Sequence, residues 1–162
     1  MTRTLYLVVC AAPPAAAIGE LIGLLPEWDT HVIATPNATA WLDAHALAEH
    51  TGHPVRHEQR RPDDPGKLPR ADAIAVVPAT FNTINKWAAG ISDTFALGVL
   101  NESIGLRLPV VVAPYAKPTL AAHPAFGESL RRLAQWGVVV LPNESIRAHN
   151  GFDWQPVIAA LV

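Results

Sequence analysis

Residues 71–93, Ala-Asp-Ala-Ile-Ala-Val-Val-Pro-Ala-Thr-Phe-Asn-Thr-Ile-Asn-Lys-Trp-Ala-Ala-Gly-Ile-Ser-Asp, constrain the fold more than any other stretch. An apolar run of strand length breaks at Pro78 and restarts with helical spacing, because Ile84, Trp87, Ala88 and Ile91 fall at i, i+3, i+4 and i+7. A buried strand, a turn of small and hydroxylated residues, and a helix start form the place where open α/β sheets bind phosphate-bearing ligands. Thr80, Asn82 and Thr83 are suited to cap the orphan amides there, or to share them with an anion.

The hexapeptide Pro78-Ala79-Thr80-Phe81-Asn82-Thr83 resembles the "PASANT" motif of the flavin-containing cysteine decarboxylases. That family includes phosphopantothenoylcysteine decarboxylase and the lantibiotic peptide decarboxylases. The continuation 85–93, Asn-Lys-Trp-Ala-Ala-Gly-Ile-Ser-Asp, resembles the family's "AKIANGIAD", and alignable pattern covers most of the chain. The resemblance implies an FMN cofactor, a Rossmann-like or flavodoxin-like sheet, and assembly as homotrimers or as dodecamers built from trimers.

A chain of 162 residues is expected to form one domain, 1–162, with a substantial core. Half of its residues are apolar and only 16% are charged, which points to strands buried on both faces or to apolar surface covered by partner subunits. No apolar run reaches the length of a membrane span, and the start reads directly into a strand, so neither an anchor nor a signal peptide is expected. The single cysteine, Cys10, excludes an internal disulfide and a cysteine-cluster metal site. A net charge of −2 argues against nucleic acid as a partner, and the expected compartment is the cytoplasm.

Strands are read at Thr4–Cys10, His31–Ala34, Pro54–Gln59 (short, polar, at an edge), Ala71–Val77, Pro109–Ala113 and Val138–Val140. Helical patterns separate them. One runs through Ala17, Leu21, Ile22 and Leu25. A second, capped by Asn37, runs through Ala38, Trp41, Leu42 and Ala46. Others hold Phe95, Ala96, Val99 and Leu100, then Leu130, Leu133 and Trp136 up to Gly137, and the tail from Asp153. The proline-rich stretch 60–70 predicts no helix. The rhythm predicts an α/β protein of three layers, a parallel sheet of about six strands covered on both faces.

The candidate chemistry sits at strand ends. Ala11, Ala12 and Pro13 occupy the first βα turn, where the resembling family has Gly-Gly/Ser-Ile/Val amides near the flavin phosphate. Here proline removes one amide donor. Thr35 and Asn37 match the family's "T-x-S-A", with asparagine in the serine position, and the simpler reading of Asn37 is a helix cap. Thr80, Phe81, Asn82 and Thr83 form the second turn. Tyr115 is a candidate to stack near the flavin and Lys117 to meet a carboxylate or phosphate. In the frame set by Pro114 and Pro124, Lys117 holds the position of the family's substrate-binding asparagine.

The family's catalytic histidine lies eight residues before the aspartate that here is Asp72, and that position is Asp64. A solvated loop aspartate with a pKa near 4 is a poor general base at neutral pH. His57 is the nearest histidine, but it falls in the third strand pattern. His45 and His50 are five apart, not the i, i+4 of helical metal sites, so no metal is expected. Two functional readings follow: an FMN-dependent oxidoreductase or decarboxylase (a lyase) acting on a small or peptide substrate unlike that of its relatives, or a non-catalytic flavin-binding subunit.

Overall fold

Alternation of side chains along the strands decides the layers. In the computed structural model, which describes residues 2–59, 61–64 and 66–161, strands β1 (Arg3–Val9), β2 (Trp28–Ala34), β3 (Ala73–Ala79), β4 (Val110–Pro114) and β5 (Val139–Val140) form one parallel sheet in the order β2-β1-β3-β4-β5. Leu5, Leu7 and Val9 of β1 join Ala73, Ala75 and Val77 of β3 in one apolar cluster. Val8 of β1 joins Ile74 and Val76 of β3 in a second cluster on the opposite face. Both faces are buried, which is why the strands read as continuous apolar runs.

Helices α1 (Ile18–Gly23), α2 (Ala44–Thr51) and α7 (Gln155–Leu161) cover the first face, through Leu21, Leu47 and Val157 among others. Helices α3 (Phe81–Ala88), α4 (Phe95–Gly105) and α6 (Pro124–Gln135) cover the second, through Trp87, Leu100 and Leu133. A one-turn helix, α5 (Pro118–Ala121), precedes α6. The strand order is that of flavodoxin-like sheets, in which the connections leave β1 toward opposite edges and open a crevice between β1 and β3.

Four expectations are corrected by the structure. The sheet has five strands among the described residues, since Pro54–Gln59 contributes only a single parallel bridge, Ile33 to Arg56. The Arg56 amide donates to the Val32 carbonyl and its carbonyl accepts from Ala34, and no further rung among the described residues continues the ladder. Asn37 caps no α-helix: residues Pro36–Trp41 form a 3₁₀ segment, Leu42 is extended, and Asp43 caps α2 by accepting from the Ala46 amide at 3.0 Å.

Pro78 does not end its strand, which runs on to Ala79 with a register shift against β4 between Val76 and Ala79. Ile91 is not on the buried face of α3. The helix stops at Ala88, Gly90 takes a left-handed conformation (φ 75°), and the amides of Gly90 and Ile91 bond back to Trp87 and Lys86, leaving Ile91 43% exposed. Of the stretch 60–70, Arg60 and Pro65 lie outside the described residues and the others hold no helix.

Candidate functional site

Beyond the carboxyl ends of β1, β2 and β3, three chain segments converge on a cavity of about 380 Å³, within the size range of small-ligand pockets, ~300–1,000 Å³. Ala11 contributes from the first turn, Thr35, Pro36 and Asn37 from the second, and Thr80, Asn82, Thr83 and Lys86 from the start and inner face of α3. Thr94 and Leu97, at the start of α4, close the far wall. This is the topological switch point, where the two halves of an open parallel sheet diverge and ligands of such sheets bind.

The turns after β1 and β3 bring backbone donors left unmatched among the described residues. The Thr80 hydroxyl accepts from the Thr83 amide at 3.4 Å, and the Thr80 carbonyl accepts from Ile84, which starts α3. The amides of Phe81 and Asn82 have no partner among the described residues, as expected at a helix start. In the first turn the Ala12 amide donates to the Cys10 carbonyl, and Pro13 and Pro14 have no N–H, so Ala11 carries the one uncommitted amide there. Thr35 also lines the cavity: its amide and carbonyl are bonded to Val9 and Ala38, and its hydroxyl, open to solvent, is available to a ligand.

Beneath this floor lies Cys10, fully buried. Burial pushes its thiol pKa up, and contacts from the Thr83 hydroxyl and from the backbone and hydroxyl of Thr80 only partly oppose that. A thiol held protonated is no nucleophile at neutral pH, so Cys10 packs under the two threonines rather than reacting. Lys86 is the charged side chain of the cavity wall, and its Nζ donates to Asp93 Oδ2 at 2.6 Å.

The structure thus brings together Ala11, Thr35, Asn37, Thr80, Asn82 and Thr83. It places the other candidates elsewhere. Ala12 is buried and Pro13 exposed behind the first turn, and neither lines the cavity. The Phe81 ring stacks on Phe126 (6.1 Å, 17°) and meets His123 edge-on. Tyr115 packs edge-on against Phe152 in the first-face cluster, while its amide donates to Ala79. Lys117 is exposed just before α5. Asp64 lines a separate surface pocket with Arg56 and His57, where its carboxylate accepts from the Gly66 amide.

Sequence reasoning missed Pro36, Lys86, Thr94 and Leu97. The signal for Lys86 was present, since it follows Asn82 by four and Thr83 by three and so shares their helix face. The structure also assembles Asp29, His31 and His53, whose ligand atoms lie within 4.8 Å of one another. The two imidazoles are stacked 16° from parallel, so their in-plane lone pairs run side by side instead of converging, and the arrangement is that of two rings bonded to one carboxylate.

An open α/β sheet with a polar crevice at its switch point defines a nucleotide- or flavin-type binding fold. The family model described as Flavoprotein matches residues 2–161, and the chain belongs to that family. It is 31% identical over 144 residues to the coenzyme A biosynthesis bifunctional protein CoaBC of Thermococcus kodakarensis, covering 81% of this chain and 35% of that protein. It is 34% identical over 71 residues to the flavin prenyltransferase UbiX of Chlamydia muridarum, covering 44% of this chain and 35% of the relative. The matched part thus spans about a third of each of these relatives. Among solved structures, the FMN-dependent cysteine decarboxylase SpaF superposes with a TM-score of 0.80 at 21% identity, over 100% of this chain and 98% of that one. No helix among the described residues is long and apolar enough to cross a membrane.

Proposed function

We propose that this chain, as a single domain, binds FMN in the cavity at the ends of β1, β2 and β3. The observation that carries the reading is the convergence of the start of α3 with the hydroxyl-bearing Thr35, Thr80 and Thr83 around a 380 Å³ cavity at the switch point. The uncommitted Phe81 and Asn82 amides at the positive end of α3 favour a ligand that brings negative charge. The residues fit the group. Thr80, Asn82 and Thr83 at the positive end of α3 would hold the phosphate or ribityl chain, Thr35 and Asn37 would bond to the ligand from the second turn, and Ala11 would let it approach the backbone. Bound flavin supplies a two-electron acceptor for oxidising a substrate carbon.

The same reading covers substrate and assembly. SpaF is described as a cysteine decarboxylase, and the resemblance extends that activity class to this chain with a changed substrate, small molecule or peptide. Asp64 and Lys117 stand at the positions of the catalytic histidine and substrate asparagine, and neither lines the Thr80 cavity. A non-catalytic flavin-binding subunit is the second reading, favoured by that same absence of a base from the cavity wall. A trimer, or a multiple of three, in the cytoplasm completes the proposal. Ile91, Leu106 and Val139 leave large apolar side chains in solvent on the single chain, and partner subunits would cover them.

The absorption spectrum of the purified protein, after incubation with FMN and desalting, tests the cofactor. Stoichiometric retained flavin supports the proposal and a colourless protein refutes it. Light scattering coupled to size exclusion tests the assembly, and a monomer mass at micromolar concentration refutes the trimer.

A further inference from the structure

Lys86 and Asp93 form an ion pair at 2.6 Å on the edge of the candidate cavity, with side chains 31% and 51% exposed. A pair this exposed contributes little, about 0–1 kcal/mol, so it does not explain by itself why a cation stands on this wall. The rest of the lining is neutral: Ala11, Thr35, Asn37, Thr80 and Asn82 offer dipoles but no charge. Helical geometry sets Lys86 on the face that carries Asn82 and Thr83, one turn further from the positive end of α3. The ammonium rides on a flexible four-carbon stem and can swing between partners without moving the helix.

We infer that Lys86 is the phosphate-recognition residue of this cavity, exchanging its Asp93 partner for the phosphate monoester of the bound ligand. The inference rests on the flavin-binding reading above. A phosphate carries up to twice the charge of a carboxylate near neutral pH and presents three acceptor oxygens, so it displaces Asp93 at small cost. The first turn, short of amide donors because of Pro13 and Pro14, cannot complete an anion site alone, and a mobile cation supplies what those amides lack. Asp93 then acts as a placeholder that keeps Lys86 extended along the wall when no phosphate is bound.

Quenching titrations of FMN and of riboflavin, which lacks the phosphate, test this on wild type, Lys86→Met and Asp93→Asn. Lys86→Met should weaken FMN binding on the order of ten- to a hundredfold, the value of one hydrogen bond between charged groups, with riboflavin changed less than about twofold. Asp93→Asn, which removes the competitor, should tighten FMN and leave riboflavin unchanged. Equal losses for both ligands in Lys86→Met, or no loss at all, would overturn the inference while leaving the flavin site intact. A wild type that binds neither ligand would overturn the flavin reading, and this inference with it.

Discussion

The imidazoles of His31 and His53 lie 3.8 Å apart, and both direct Nε2 at the carboxylate of Asp29, His53 at 2.6 Å and His31 at 3.4 Å. Asp29 and His31 belong to edge strand β2, and His53 follows α2, so the three side chains tie the returning chain to the sheet edge where Arg56 makes its bridge.

Stability should therefore fall in mild acid. Burial, and then the charge of His53, hold the His31 pKa below its ordinary 6.5, against a smaller opposing pull from Asp29. A depressed pKa means that the unfolded chain takes up the proton first. The contribution is fully present above pH 6.5 and is lost as pH falls through the folded-state value. Asp29, held below 3.8 chiefly by its hydrogen bond to His53, adds a second loss of the same sign at lower pH. The urea midpoint should decline from pH 7.5 to 5.5, and His53→Ala should lower the unfolding free energy by about 1 kcal/mol at pH 7.5 and flatten its pH dependence. An unchanged slope in the variant would contradict this account of the stack.

Trp87 joins the two helices whose starts frame the cavity. Its ring is fully buried, and Nε1–H donates to the Leu100 carbonyl of α4 at 3.2 Å. Trp87→Ala should cost about 3–5 kcal/mol in denaturant unfolding. Trp87→Phe, which keeps most of the volume and loses the hydrogen bond, should cost less, roughly 1–2 kcal/mol. Equal costs would mean that the hydrogen bond, not the packing, fixes α3 against α4.

The legible parts of the fold were those with one physical cause. β1, β3 and β4 are buried on both faces and read as apolar runs whatever else the chain does. The stretch 54–59 was misread because a polar segment at a sheet edge satisfies its alternation with or without a ladder, and among the described residues only two backbone hydrogen bonds form around Arg56. Helix 38–46 was misread because its apolar spacing was accidental: Trp41 is 44% exposed, and Asp43, the stronger cap, starts the helix at Ala44. Gly90 carried a stop signal that the spacing of Ile91 overrode. In the site, the motif turn at Thr80–Thr83 was visible as a strand-turn-helix. Thr94, Leu97 and the Asp29–His31–His53 group were not, because tertiary packing alone brings them to their partners.

Phosphopantothenoylcysteine should not be decarboxylated at a useful rate. On the proposed reading Asp64 takes the place of the resembling family's catalytic histidine, and its carboxylate accepts from the Gly66 amide in a pocket apart from the cavity. Absence of a positioned general base costs about 10²- to 10⁴-fold. Mass spectrometry for loss of carbon dioxide should show turnover near background, and Asp64→His alone should not restore it, because that loop does not aim the side chain at the cavity. Turnover matching histidine-bearing enzymes would contradict the assignment.

The central claim is that the cavity between Thr35 and Thr80–Thr83 holds FMN, and a fluorescence-quenching titration on wild type and on Thr80→Ala/Thr83→Ala tests it most directly. The account predicts saturable one-to-one quenching by wild type, weaker binding of riboflavin, and a loss of about 1–3 kcal/mol in the double variant, at a typical net value for hydrogen bonds to a charged group. Absence of saturable quenching by wild type, or a double variant that binds FMN as tightly as wild type does, would contradict it.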